Sequence, residues 1–198
     1  MEFQHVNVKL FVNDADQFDP AALIPVFHGW IQNQETDELL LDVADYRHVR
    51  SGPGVVLIGH QGNYSLDNGG GRWGVRYNRK AVLGGSNQDR LVQATQAALA
   101  ACQRLEADPR LDGMIRFNGR EIEMFINDRL LAPNSPETAG AAEAEFRTLF
   151  STLFGDLEYV MSYRQDPRSL FSVHVKTPQA LDTTALLNNL NTLAPALP

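Results

Sequence analysis

The residue types that suit acid–base or metal chemistry cluster in one stretch of the chain. Asp42, Asp45 and His48 follow one another at a spacing of three, and His60 lies in the next turn. Carboxylates and imidazoles transfer protons and bind divalent metals. Asp42 and Asp45 would point to opposite faces of a strand. We therefore expect only Asp45, His48 and His60 to converge, and only if the loop 47–54 folds back. In the alternative, Asp45 caps that loop and both histidines are solvated or bond to the backbone.

A second group of residues has the chemistry of an anion site. Arg72, Arg76 and Lys80 share one face of a predicted strand. Gly85 and Ser86 then begin a predicted helix, whose first amide groups attract negative charge. The stretch is no P-loop, because it lacks the lysine and the spacing of that motif. In the alternative, the glycines only turn the chain and the arginines pair with the acidic first 45 residues.

The remaining polar candidates have simpler interpretations. Glu121 and Glu123 fall on the outward face of a predicted strand, where we expect solvated carboxylates. His174 is likewise predicted to face outward. Cys102 lies on the apolar stripe of a helix, which predicts a buried and unreactive thiol. None of these residues indicates a particular cofactor, so the cofactor stays unknown.

Charge is distributed unevenly along the chain. The net charge is −7, which argues against a general nucleic-acid binder. Residues 1–45 carry nine acidic side chains and only Lys9 as a base, whereas residues 46–80 carry six bases and only Asp67 as an acid. The central segment is thus basic within an acidic chain.

Length and composition predict a single soluble domain. The chain has 198 residues and one cysteine, so it contains no internal disulfide and suits a reducing compartment. We expect no secretory leader, because the first residues lack a basic segment followed by a long apolar run, and no membrane helix, because no apolar run is long enough. We expect a cytoplasmic protein with an N-terminal lobe over about 1–86 and a C-terminal lobe over about 87–198, sharing one core.

Hydrophobic periodicity indicates the elements that position these residues. Alternating Val6, Val8, Leu10 and Val12 predict a first strand with one face inward. Asp19 and Pro20 can begin a helix. The segment 39–45 is apolar on both faces where it begins, which predicts a central strand. Glycine-rich turns then separate strands over 55–59, 64–66 and 72–80.

The second half of the chain predicts two strand–strand–helix units. Ser86 caps a helix with an apolar stripe from Leu91 to Leu105. Asn118-Gly119 predicts a hairpin between strands over 114–117 and 122–126. A helix over 136–154, two strands and a helix over 181–193 follow.

These patterns indicate an α+β fold with a largely antiparallel sheet built from hairpins, about nine strands and four main helices. Two functions remain open. The first is a binding or regulatory protein that holds a small anionic ligand or an acidic partner on its basic strands, and that pairs as a homodimer through a sheet edge. The second is an enzyme acting on an anionic small molecule through Asp45, His48 or His60.

Overall fold

The computed structural model describes residues 1–13 and 18–192, which form one eight-stranded antiparallel sheet. The strand order is β2-β3-β4-β5-β1-β6-β8-β7. The strands are β1 (Val6–Val12), β2 (Leu40–Tyr46), β3 (Gly54–Gly59), β4 (Gly62–Asp67), β5 (Gly74–Arg79), β6 (Phe117–Ile126), β7 (Val160–Tyr163) and β8 (Phe171–Lys176).

Strand β1 lies near the centre of the sheet, between β5 and β6. Val6, Val8 and Leu10 are buried in the hydrophobic core, as their alternation predicts. The residues between them, Asn7 and Lys9, point to the opposite face. This strand therefore contributes to the core on one side and to a polar surface on the other.

The helices of the described residues cover one face of the sheet, the covered face. They are α1 (Leu23–Asn33), α2 (Asn87–Ala107), α3 (Pro136–Phe154) and α4 (Thr183–Asn191). The longest, α2, buries Leu91, Ala94, Ala98 and Leu105 in the same core cluster as β1. Its stripe packs on the sheet because apolar residues at helical spacing gain about 1.5–3 kcal/mol for each large side chain removed from water. The other side of the sheet, the open face, carries no helix among these.

The α+β fold is confirmed, but the hairpin prediction at Asn118-Gly119 is wrong. Both residues lie inside the continuous strand β6, so the first C-terminal unit is strand–helix and the described residues contain eight strands instead of nine. Strand β1 pairs on both sides of the turn signal, with Leu10 opposite Ile122 and Val12 opposite Phe117. Asn118 and Gly119 therefore lie at an irregularity within β6 and not in a turn, because β1 pairs with the residues on both sides of them.

The prediction of a central strand at 39–45 is also wrong. Strand β2 is an edge strand. Leu39, directly before it, and Leu41, its second residue, are more than half exposed. Two apolar faces at the start of a strand therefore did not indicate burial. The Asp19 side chain accepts from the amide of Ala21, which begins a 3-10 turn leading into α1. The predicted helix end at Leu193 lies outside the described residues.

Among residues 1–13 and 18–192, no helix has the combination of length and hydropathy that a bilayer crossing requires.

Candidate functional site

A row of polar side chains crosses the open face of the sheet from strand to strand. The register places Ser65 opposite Arg76, Arg76 opposite Lys9, Lys9 opposite Glu123, and Glu123 opposite His174. Directly paired residues share one face and lie about 5 Å apart. Antiparallel pairing therefore assembles a hydroxyl, two cations, a carboxylate and an imidazole from five strands.

The part of this row from Arg76 to His174 forms the floor of a concave pocket of about 420 Å³, here called the open-face pocket. Its wall comes from the loop after β4 and the segment before β8. The lining residues are Lys9, Phe11, Asp67, Gly69, Gly70, Arg72, Arg76, Glu123, Phe125, Arg164, Ser169, Leu170 and His174. Four of them are Lys or Arg and two are Asp or Glu, so the lining carries more positive than negative charge.

Lys9 and Asp67 form a buried ion pair at the centre of the pocket floor. The Lys9 side chain is 1% exposed, and its Nζ donates to Asp67 Oδ1 at 2.6 Å and to the Gly69 carbonyl at 3.0 Å. Burial lowers the pKa of Lys9, and the neighbouring Asp67 carboxylate opposes this effect. The pair fixes the loop after β4 against the sheet, because Asp67 also accepts from the Gly69 amide.

Arg76 is the cation of the pocket that donates no hydrogen bond to a carboxylate of the described residues. Its Nε donates to Asn7 Oδ1 at 3.1 Å, and its Nη1 lies 3.8 Å from Asp67 Oδ2, beyond hydrogen-bond distance. Within the described part of the chain, Arg76 makes no further side-chain hydrogen bond. The guanidinium packs 4.8 Å from the ring of Phe125. Burial lowers the pKa of Arg76, yet an arginine keeps its charge in a protein. The pocket therefore contains a charged, partly buried guanidinium with free N–H groups.

Arg72 and His174 share a carboxylate beside the pocket. Arg72 donates twice to Glu121, at 2.9 and 3.1 Å, and its guanidinium stacks 3.9 Å from the ring of Phe11. His174 Nε2 lies 3.0 Å from Glu121 Oε2, and Lys176 Nζ lies 3.4 Å from the same oxygen. Burial acts to raise the pKa of Glu121, but the bonds and charges of its basic neighbours lower it to about 2.

The glutamates of β6 are therefore not the solvated surface that the sequence predicts. The side chains of Glu121 and Glu123 are 17% and 15% exposed, and Glu123 accepts from Arg164 at 2.9 Å. His174 is a quarter exposed and contacts the edge of Phe11. The prediction that these three side chains face away from the core is right, but the surface that they share is concave and contains their charged partners.

The predicted anion-site residues lie in three separate places. Arg72 and Arg76 both line the open-face pocket. Lys80 follows β5 as an exposed residue outside this lining. Gly85 and Ser86 begin α2 on the covered face, where the capping box with Asp89 already satisfies the amide of Ser86 at 2.7 Å. The helix start and the two arginines therefore do not form one site.

The basic central segment, residues 46–80, is partly neutralised by carboxylates of residues 1–45, as the alternative interpretation predicts. Arg47 pairs with Asp45 and Asp19, and Arg79 pairs with Glu38. Arg72 and Arg76 instead meet carboxylates from outside residues 1–45.

The expected convergence of Asp45, His48 and His60 does not occur. Arg47 donates to both carboxylate oxygens of Asp45 through Nε and Nη2, and to Oδ1 through its amide. These bonds lower the pKa of Asp45 to about 2. His48 follows the last residue of β2, and His60 follows β3 at the opposite end of this hairpin. A strand of this length separates the two ends by roughly 20 Å. In the described part of the chain, no group of three or more His, Cys, Asp or Glu side chains is arranged to hold a metal.

The sequence interpretation missed Lys9, Asp67, Glu123 and Arg164 as pocket residues. Lys9 could have been noticed, because it is the only base of residues 1–45 and alternates with the core residues of β1. The other three required knowledge of which strands are neighbours. No protein-family model, curated protein or solved structure matches this chain.

Proposed function

We propose that this protein binds a small anionic ligand in the open-face pocket, with Arg76 as the primary contact. The proposal rests on one observation, the unfilled hydrogen-bond donors of the Arg76 guanidinium. Asn7 and Phe125 hold it in place, and it faces the pocket with N–H groups that no described residue fills. A planar guanidinium matches a carboxylate or a phosphate with two parallel hydrogen bonds.

The other cations of the pocket are already paired, which favours a ligand of low charge. Lys9 is bound to Asp67, Arg72 to Glu121 and Arg164 to Glu123. These pairs fix the shape of the pocket and leave a modest positive excess. A volume of about 420 Å³ fits a small metabolite. We therefore expect a carboxylate or phosphate monoester of metabolite size.

The proposal can be tested by thermal unfolding and calorimetric titration with inorganic phosphate, citrate and a sugar phosphate. A ligand at about 100 times its Kd stabilises the folded state by about 2.7 kcal/mol. For a chain of this size such a gain raises Tm by about 5–10 °C. Arg76→Gln should abolish the rise, whereas Arg147→Gln, which changes an exposed arginine of α3, should preserve it.

Because Arg76 is partly buried, the folded state of its variant is checked by circular dichroism, and Arg164→Gln at the pocket rim serves as a second variant. Equal Tm increases in the wild type and in both pocket variants would contradict the proposal, as would titrations without heat for every anion.

A second candidate function is catalysis on the same ligand, and His174 is the observation that favours it. His174 lines the pocket, and Glu121 orients its ring through Nε2. An imidazole held by a carboxylate is a common general base. Turnover of any carboxylate or phosphate ester from a chromogenic panel, lost in His174→Gln while anion binding persists, would favour the enzyme.

A homodimer through a sheet edge remains a prediction, as does a cytoplasmic location. Strand β2 is an edge strand, and Leu41 within it and Leu39 directly before it are exposed, which suits pairing with a second copy. Light scattering of the purified protein measures the mass, and Leu41→Lys should convert such a dimer into monomers.

A further inference from the structure

A second cavity lies on the open face and meets the open-face pocket at Arg76. It has a volume of about 280 Å³, and its residues come from β2 to β5 and from the loop before β3. We call it the polar recess. Arg76 and Asp67 line both cavities. A ligand that binds the Arg76 guanidinium can therefore extend into the polar recess.

The polar recess contains hydrogen-bonding atoms that no described residue uses. Ser65 is only 7% exposed, yet its Oγ makes no hydrogen bond with residues 1–13 or 18–192 and is not fully enclosed. Asn78 is half-buried, and neither polar atom of its side chain has a partner in the described chain. Asn63 lies opposite Asn78 and can offer its Nδ2, whereas its Oδ1 is enclosed. A hydroxyl and two amides are therefore available to a ligand.

These groups are uncharged, which distinguishes the polar recess from the open-face pocket. Among the described residues that line the recess, only Arg76 and Asp67 carry charge, and Asp67 is already bound to Lys9. In the open-face pocket the cations other than Arg76 are held in ion pairs. The part of a ligand that lies in the recess should therefore be neutral and rich in hydrogen-bonding groups.

The register of the sheet sets the spacing of these groups. Ser65 lies opposite Arg76 on the neighbouring strand, at roughly 5 Å between Cβ atoms. Asn78 lies two residues along β5 from Arg76, at roughly 7 Å. Such spacings suit a six-membered ring with several hydroxyl groups, because each hydroxyl both donates and accepts a hydrogen bond.

The rest of the polar recess is apolar. Val56, opposite Ser65, is 8% exposed, and the ring of Tyr46 is partly exposed beside it. Ligand sites commonly combine such apolar contacts with a few polar groups that fix the orientation of the ligand. The C–H faces of a sugar ring can pack on this lining while its hydroxyls reach the polar side chains.

We propose that the ligand of Arg76 is a monosaccharide with one anionic group, either a sugar phosphate or a sugar acid. Its anionic group binds the Arg76 guanidinium, and its ring lies in the polar recess with hydroxyls bonded to Ser65, Asn78 and Asn63. This assignment rests on the proposed function, because the ring extends from the anion at Arg76.

Two pairs of probes separate the hydroxyls from the charge: glucose 1-phosphate with cyclohexyl phosphate, and glucuronate with cyclohexanecarboxylate. The members of each pair share a six-membered ring and an anionic group, but only the sugar carries hydroxyls on the ring. In calorimetric titrations we expect the sugar of at least one pair to bind about tenfold more tightly than its partner. The pair with the tighter sugar shows whether the anionic group is a phosphate or a carboxylate.

Two variants test the location of the ring. Ser65→Ala and Asn78→Leu should each weaken binding of the sugar by about threefold or more, and should leave its cyclohexyl partner unchanged. Ser172→Ala is the matched control, because Ser172 is a buried serine of β8 that is absent from the lining of both cavities. It should retain the full preference for the sugar. Arg76→Gln should abolish binding of all four probes.

The two proposals fail in different ways. Equal affinities within both pairs, tighter binding of the cyclohexyl probes, or a preference that survives both Ser65→Ala and Asn78→Leu would overturn the sugar assignment. If Arg76→Gln still abolished binding in those cases, the anion site would stand without it. Unchanged binding to Arg76→Gln would instead contradict the proposed function, and no binding of any probe to the wild type would overturn both.

Discussion

The ammonium of Lys9 lies 2.6 Å from Oδ1 of Asp67, and both side chains are more than nine-tenths buried. This pair joins strand β1 to the end of β4 across the intervening strand β5. A buried ion pair of this kind adds little net stability compared with an apolar pair, but removal of one partner leaves an uncompensated charge.

Asp67→Asn should therefore destabilise the protein by about 3–5 kcal/mol, measured by urea unfolding. The double variant Lys9→Met, Asp67→Leu should recover most of that loss, because both charges of the pair are removed together. Asp166→Asn, which breaks an exposed pair with Arg168, is the matched control and should cost less than about 1 kcal/mol. A cost for Asp67→Asn as small as that of the control would show that the pair is solvated.

Glu121 should make the unfolding free energy depend on acid pH. Its pKa is about 2 in the folded protein, below its ordinary value of 4.5. A lowered carboxylate pKa contributes stability that is present above the ordinary value and is lost as the pH falls toward the folded value. Urea unfolding at pH 6, 4.5 and 3 should show a smaller decline for Glu121→Gln than for the wild type. Glu143→Gln, on an exposed helix pair, should retain the wild-type decline.

Gly119 should tolerate no side chain. Its φ is +57°, and a Cβ there would lie 1.8 Å from the carbonyl oxygen of Leu181. Gly119→Ala should cost about 2 kcal/mol or more through backbone strain, with the clash in addition. Gly140, exposed on α3, meets no atom within 4 Å of an added Cβ. Gly140→Ala should therefore stabilise by about 0.5–1 kcal/mol in the same assay, and equal effects at the two positions would refute this account.

The thiol of Cys102 should be unreactive in the folded protein. It is fully buried on α2, and burial raises the pKa of its thiol well above the ordinary value. A disulfide reagent such as DTNB should react at the rate of unfolding, and denaturant should make the reaction immediate. Rapid labelling in native buffer would place Cys102 at a surface instead.

Local patterns predicted most elements because their periodicity reflects burial. The alternation in β1 and the stripe of α2 both follow from one face packing against the core. The turn signal at Asn118-Gly119 failed because hairpin preference is local, whereas pairing with β1 depends on residues more than a hundred positions away. The exposed edge of β2 could not be inferred either, because edge or centre depends on strand order.

The candidate site was predicted only where its residues lie on one extended segment, with Arg72 just before β5 and Arg76 within it. Arg72 and Arg76 were found together because a period of two places them on one face. Lys9 and Glu123 join them through the order β5-β1-β6, in which neighbours in space are far apart in sequence. Asp45, His48 and His60 were grouped by closeness along the chain, but β2 and β3 carry the two histidines to opposite ends.

The position of β1 has a consequence for biosynthesis. The ribosome makes this strand first, yet its two neighbours, β5 and β6, emerge only after residues 79 and 126 have been added. Strands β2 to β5 form a meander that can close early through short-range turns, whereas the half of the sheet containing β6 to β8 joins it only through β1. Distant pairings of this kind slow folding, since a long loop must close first. The open-face pocket is therefore among the last features of the nascent protein to form, and binding of the proposed anion there should report completed folding.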